Sequence, residues 1–262
     1  MKTWKTRYLL VLDDIWKYEV WDEGSVAFPN NSNGSRILIT SRIKVALHAS
    51  SVKDNIPPIP PYELPLLKED KSWELFSKKV FQGGTCPSEL EILGRQIVES
   101  CHGLPLAIVV LGGLLANKEK TNRTWSKYAG HVNSFLIKGR SSCRDILALS
   151  YNNLSQRLKP CFLYFGIYPE DFEIPMRQLI QLWIAEGFIQ KIQNRNIEDV
   201  VEDYLEELID RSLIQVATKR LDGGVKTCHI HDLLRDLCIS ESIKEKFLEV
   251  HLRFIQMLTF HS

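Results

Sequence analysis

Two adjacent carboxylates, Asp13 and Asp14, close the apolar run RYLLVLDD near the amino end of the chain. Tyr8 to Leu12 are apolar without alternation, the pattern of a strand covered on both faces, as in parallel sheets. Ligands of such sheets collect at the carboxyl ends of the strands, where this pair lies. The plainer alternative is a buried strand that ends in acidic turn residues. A second run, Ile37 to Ile39, releases Thr40, Ser41 and Arg42 at its own carboxyl end. A third cluster, CHIHDLLRDL, sets Cys228, His229, His231 and Asp232 close together. All four are competent metal ligands, but a structural zinc site wants two ligand pairs separated by a longer loop, and no second pair is apparent. Asp232 is better read as the cap of a helix starting at Leu233, since an acid suits a helix amino terminus.

The elements that must position these groups change character twice along the chain. Residues 1–66 alternate strand-like runs with loops, including the turn NNSNGS and the stiff IPPIPPYELPLL, as at the end of an α/β domain. Residues 67–138 are helical in period, with Trp73, Leu75, Phe76 and Val80 on one face and Leu90, Leu93, Ile97 and Val98 on another. Gly103 reads as the stop of a helix from Leu90 to His102, and Pro105 as the start of the next. The apolar LPLAIVVLGGLLA is too short to span a bilayer and reads as a buried helix. Residues 139–245 add further amphipathic helices. The clearest turns Val200, Val201, Tyr204, Leu205, Leu208 and Ile209 inward and a dense row of acids outward. SLIQVA, a DGG turn and VKTCHI then form a β-hairpin, the wing of a helical domain. Residues 246–262 are unassigned.

Composition excludes some functions. Thirty-three basic residues balance 32 acidic ones, so no overall field favours nucleic acid or an anionic membrane. The strongest amphipathic helix is acidic outside, opposite to a phosphate-binding surface. Six scattered cysteines without a C-x-x-C pair or a preceding secretory signal read as reduced thiols, and a cytoplasmic protein is expected. No motif for a serine, cysteine or metal nucleophile is recognisable.

Five motifs occur in a fixed order: LLVLDDIW, GSRILITSR, CHGLPLAIVVLGGLL, LSYNNLSQRLKPCFLYFGIYPEDFEI with LIQLWIAEGFI, and HIHDLLRDL. Together they resemble the NB-ARC nucleotide-binding module of plant disease resistance proteins. Trp16 and CFLYFGIYPEDFEI resemble the coiled-coil class of these NB-LRR immune receptors. The resemblance implies an α/β fold followed by all-α and winged-helix parts. These would be a partial P-loop NTPase domain of the STAND type (1–66), a small helical domain (67–138) and a winged-helix domain (139–245), closing around ADP at rest and opening on exchange for ATP.

The resemblance also implies roles for single residues. Asp13 would hold Mg²⁺, often through water, and Asp14 would position an attacking water in a complete parent protein. Arg42 would sense the terminal phosphate, although an arginine at a strand end paired with a nearby carboxylate explains it equally well. Pro105 would press on the adenine or ribose, and His231 would contact the β-phosphate of ADP. The family's usual Met before this histidine is Ile230 here, an exchange of similar volume. Expected partners are the nucleotide and receptor domains, the coiled coil and leucine-rich repeats of the same or another receptor; no nucleic acid is expected.

A phosphate-gripping G-x-x-x-x-G-K-[ST] loop is not found: no glycine is followed by lysine, and six residues precede Arg7. The chain is therefore expected to be the later part of a nucleotide module, binding nucleotide poorly, with at most weak ATPase in the parent and none by itself. The tail HLRFIQMLTFHS departs from the family's wording and reads as a truncated or mispredicted product. The alternative function is that of a nucleotide-free regulatory fragment that associates with full-length receptors.

Overall fold

A computed structural model describes residues 6–15, 17, 19, 34–42, 61–137, 143–190 and 194–247. Trp16, the turn before Gly34, the proline-rich residues 56–60 and the tail after Phe247 lie outside the described residues. The chain divides into two compact units, Met1–Pro65 and Leu66–Ser262.

In the first unit, β1 (Leu9–Leu12) and β2 (Arg36–Ile39) pair in parallel, with Leu9 opposite Arg36 and Leu12 opposite Ile39. Leu9 and Val11 are 69% and 52% exposed and Leu38 is 54% exposed. Burial therefore alternates, and the expectation of a strand covered on both faces is corrected. Among the described residues of this unit only these two strands pair, and one face of their ribbon is uncovered.

The second unit runs α1 (Glu69–Phe81), α2 (Ser88–Glu99), α3 (Pro105–Ala116), α4 (Asn122–Ile137), α5 (Cys143–Asn152) and α6 (Leu158–Leu163), which continues as a 3₁₀ turn over Tyr164–Ile167. Then follow β3 (Ile174–Pro175), α7 (Met176–Ala185), α8 (Ile197–Asp210), β4 (Gln215–Lys219), β5 (Val225–His229) and α9 (Asp232–Lys244). The strands form an antiparallel sheet in the order β3-β5-β4, so the hairpin read as a wing is one. Its turn closes through Arg220 N–H to Gly224 O at 2.7 Å and Gly223 N–H to Arg220 O at 3.0 Å. Gly223, at φ 89°, supplies the left-handed step.

Local chemistry explains the helix ends. Glu69 and Asp70 begin α1 and Lys78 and Lys79 end it, each sign on the favourable end of the helix dipole. Asn196 caps α8 by accepting from Glu198 N–H at 3.4 Å. Helix α2 stops at Glu99, short of the His102 that the apolar spacing indicates, because His102 (φ 47°) and Gly103 (φ 74°) both take the left-handed conformation. Gly103 also lies against the chain entering α1. Its carbonyl accepts from Leu67 N–H at 2.9 Å, and a Cβ there would stand 2.3 Å from Leu67 O. Side chains other than hydrogen do not fit.

Two hydrophobic clusters fill this unit. One gathers Phe76, Val80, Leu90, Ile97, Ile108, Leu111 and Trp125; the other gathers Phe162, Phe165, Leu179, Trp183, Leu208, Cys228 and Leu237. Helix α3 serves both: Ile108 and Leu111 face the first and Leu106 and Val110 the second. A helix apolar on every side is stable only when enclosed, and nine residues of α3 are buried. Gly112 lets Lys79 and Phe76 of α1 approach, and Gly113 meets the backbone of Arg211, where a Cβ would stand 2.6 Å from its carbonyl carbon. Arg211, itself buried, is held by Glu207 through Nη2 at 2.7 Å and Nε at 3.0 Å, and donates to Asn153 O at 3.4 Å. The Asn153 side chain accepts in turn from Tyr128 Oη at 3.0 Å. Among the described residues, no helix is long and apolar enough to cross a membrane.

Gly113→Ala is expected to destabilise the chain by about 1–3 kcal/mol through overpacking. Gly130, inside α4 with open space around its Cβ position, is the control, since Gly130→Ala should stabilise by about 0.5–1 kcal/mol. Urea unfolding midpoints of the two variants check the opposite signs. All six cysteines are unpaired, and burial pushes the Cys101, Cys161 and Cys228 thiols up to about 12. A thiol-specific disulfide reagent at about pH 8 should label Cys86 first and reach these three only on unfolding, as followed by mass spectrometry.

Candidate functional site

Within the first unit, the parallel register ends both strands at the same level, so the residues that follow them meet. Thr40 N–H donates to Leu12 O and Ile15 N–H to Thr40 O, each at 3.0 Å. Between these bonds the chain turns through Asp14, a non-glycine residue at φ 53°, which asparagine and aspartate tolerate better than most. The Thr40 hydroxyl acts in both directions, donating to Asp13 Oδ1 and accepting from Asp14 N–H, the latter at 2.8 Å. Ser41 Oγ donates to Ile15 O at 2.6 Å. Arg42 Nη2 lies 3.2 Å from Asp14 Oδ2.

These contacts place Asp13, Asp14 and Arg42 together. Arg42 forms a carboxylate pair with Asp14. Its side chains are 45% and 27% exposed, and exposed pairs of this kind contribute about 0–1 kcal/mol. Asp13 keeps acceptor capacity, because a carboxylate offers about four lone-pair sites and the Thr40 bond uses one. Two carboxylates, a hydroxyl and a guanidinium form an oxygen-rich set, suited to a hard cation and an anionic ligand and unsuited to a soft metal. Thr40 emerges as the organising residue. Its sequence signal was slight: a hydroxyl one position beyond a short strand.

Within the second unit, Pro105 is the first residue of α3, exposed, with its fixed φ at a position where no backbone N–H is needed. Leu106 beside it enters the winged-helix cluster, as does Ile230 beside His231. His231 caps α9: its Nδ1 accepts from Leu233 N–H at 3.2 Å, and its carbonyl accepts from Leu234 and Arg235 N–H at 2.8 and 2.9 Å. The cap is thus His231. Asp232 is the first helical residue, and its acid lies in the first turn, which corrects the expectation of an Asp232 cap for a helix beginning at Leu233. Because Nδ1 accepts, this geometry assigns the proton to Nε2. Arg235 Nε donates to Tyr168 O at 2.6 Å and its Nη1 lies 3.6 Å from Glu170, tying this end of α9 to the YPED loop. Cys228 and His229 serve other ends. Alternation along β5 buries Cys228 in the core and sets His229 Nε2 3.0 Å from Gln215 Oε1 on β4.

Thr40→Val keeps the branched shape and deletes both hydroxyl bonds, so the Asp14 amide should exchange faster with solvent, a loss of about 1–2 kcal/mol in local protection. His231→Ala should cost about 0.5–2 kcal/mol of stability and His231→Asn almost none, if the cap is the structural role. Thermal unfolding of the two variants separates capping from any other use of the imidazole.

Residues 2–86 match the sequence profile of the NB-ARC domain, and residues 167–238 that of the disease resistance protein winged helix domain. The chain is 39% identical over 243 residues to a putative late blight resistance protein homolog of Solanum demissum, covering 92% of this chain and 18% of that protein. It is 40% identical over 251 residues to a ToMV resistance protein of Solanum lycopersicum, covering 92% of this chain and 28% of that protein. With a late blight resistance protein of Solanum demissum, identity is 40% over 244 residues, again 92% of this chain and 18% of the relative. The chain thus spans less than a third of the length of these relatives. It carries a P-loop NTPase-type NB-ARC region followed by the winged-helix domain of disease resistance proteins, and its relatives over 92% of its length are plant disease resistance proteins.

Proposed function

We propose that this chain is part of the nucleotide-dependent switch of a plant immune receptor of the coiled-coil class, acting in defence against pathogens from the cytoplasm. The module comprises nucleotide-domain residues 1–66, a helical domain at 67–138 and a winged-helix domain at 139–245. The observation that carries the reading is the Thr40 hub, which holds the Asp13 carboxylate and the Asp14–Arg42 pair at one edge of a parallel sheet. Ligands of open parallel sheets bind at that edge.

The ligand is ADP or ATP with Mg²⁺, and the oxygen-rich donor set fits it. Bound Mg²⁺ would screen phosphate charge and order water around it. Asp13, fixed in rotamer by Thr40, would hold the cation through water. Asp14 would orient a water in the complete parent. Arg42 would exchange its exposed carboxylate partner for the terminal phosphate, a charge-assisted contact that is stronger in a bidentate geometry. His231 would offer Nε2–H to the β-phosphate while Nδ1 keeps the helix cap, so one imidazole would link nucleotide and winged helix. Pro105, rigid and exposed at the start of α3, would present an apolar surface to the adenine or ribose. Receptor domains of the same or another chain, including a coiled coil and leucine-rich repeats, are the macromolecular partners. The 262 residues contain no Gly-Lys phosphate loop, so binding by this stretch alone is expected to be weak and hydrolysis negligible.

The deciding experiment quantifies nucleotide released from the purified, folded chain on denaturation and titrates the stripped chain with a fluorescent ADP analogue, with and without Mg²⁺. Mg²⁺-dependent binding that falls at least about tenfold in Asp13→Ala and in His231→Asn supports the reading. A folded chain that binds no nucleotide, or binds it identically in both variants, overturns the assignment for this chain and favours a nucleotide-free fragment that acts by associating with full-length receptors.

A further inference from the structure

A groove of about 800 Å³ opens between α7, α8 and the β4–β5 hairpin. None of the residues that line it is assigned to the nucleotide, and its volume falls within the range of about 300–1,000 Å³ typical of ligand sites. Met176 and Leu205 form its buried floor, and Ile180, Ile209, Val216 and Val225 line it half-exposed. Charge on the rim is divided by element. Helix α8 contributes Glu202, Glu206 and Asp210, while Arg177 comes from α7 and Lys219 and Lys226 from the hairpin. Glu202 is paired with Arg220 at 3.4 Å, and Asp210 acts on Lys79. Glu206, Arg177, Lys219 and Lys226 have no ion-pair partner among the described residues.

We propose that this groove is a docking site for an amphipathic helix of a partner protein, one that carries Lys or Arg along one flank of its apolar stripe and Asp or Glu along the other. Three observations select this occupant. The acids of α8 recur every four residues, about one helical turn apart, so a helix lying alongside can set its own basic residues at the same interval against them. The unpaired cations on the facing elements require the opposite charge on the other flank, and a partner charged with one sign would meet repulsion on one side. An added strand is disfavoured, because edge strand β4 has register shifts at Val216/Thr218 and Thr218/Lys219 and carries Lys219, features that blunt strand addition. The apolar floor supplies affinity, and the divided rim supplies selectivity.

The test uses the full chain and three fluorescein-labelled synthetic helices of about 18 residues, long enough to populate a helix. They share one leucine stripe and differ in flanks: one Lys and one Glu flank, both Lys, or both Glu. Anisotropy titration should give the mixed peptide a dissociation constant on the order of 10 µM and the two single-sign peptides values at least about tenfold weaker. Glu206→Lys, a surface change, should weaken the mixed peptide and strengthen the all-Glu one; Ile209→Asp should abolish all three. If Ile209→Asp fails to fold, the Glu206→Lys exchange still decides. Equal affinity for the three peptides, no binding of any, or an unchanged ranking in Glu206→Lys overturns the proposal. So does displaceable binding of anilinonaphthalene sulfonate without peptide binding, which would make the groove a site for a small apolar anion.

Discussion

The enclosure of α3 governs the second unit. Its side chains are apolar all around the axis, so it gains nothing from water on any side, and burying each of its leucines and isoleucines contributes about 1.5–3 kcal/mol. Packing must therefore arrive from every direction. The helical cluster covers one side and the winged-helix cluster another. Gly112 and Gly113, about 100° apart on the helix, admit the Lys79 and Phe76 side chains of α1 and the backbone of the turn after α8, respectively. The helical and winged-helix parts share this helix as common ground, and neither completes its core without it.

The polar groups around α3 follow from that closeness. Bringing the Arg211 backbone onto Gly113 draws its guanidinium out of water, and a buried cation left unpaired would cost several kcal/mol. Glu207, one turn back on α8, and the Asn153 carbonyl supply its partners, with Tyr128 holding Asn153. The chain from α2 into α3 is similarly constrained: Leu67 bonds to the Gly103 carbonyl, and only glycine fits against Leu67 there. Pro105 is thus presented at the start of a helix held at both ends, a rigid place for an apolar contact.

The first unit is organised differently. Among its described residues the strands are short and one face is open, so hydrophobic burial contributes little there, and hydrogen bonds at the carboxyl ends set the geometry. A single hydroxyl, that of Thr40, fixes both the rotamer of Asp13 and the turn at Asp14. Arg42 pairs with Asp14 at 3.2 Å where the side chains are partly exposed.

Periodicity alone determined much of this protein. The apolar spacing of 67–138 and 200–209, the DGG turn and the Gly103–Pro105 break are local signals, and each produced the element it indicated because helix period, turn conformation and helix starts are set within a few residues. Motif order pointed to the family, and the acids, arginine, proline and histidine proposed for the site rest on that resemblance. Long-range facts were not legible. That Thr40 rather than an acid organises the strand ends depends on the parallel register of two strands far apart in sequence. That His231 rather than Asp232 caps α9 depends on where the chain leaves β5 and turns. The divided charge of the α7–α8–hairpin groove arises only when three separate elements meet. These features are decided by tertiary structure, because side chains distant in sequence acquire partners only after packing fixes which backbones approach one another.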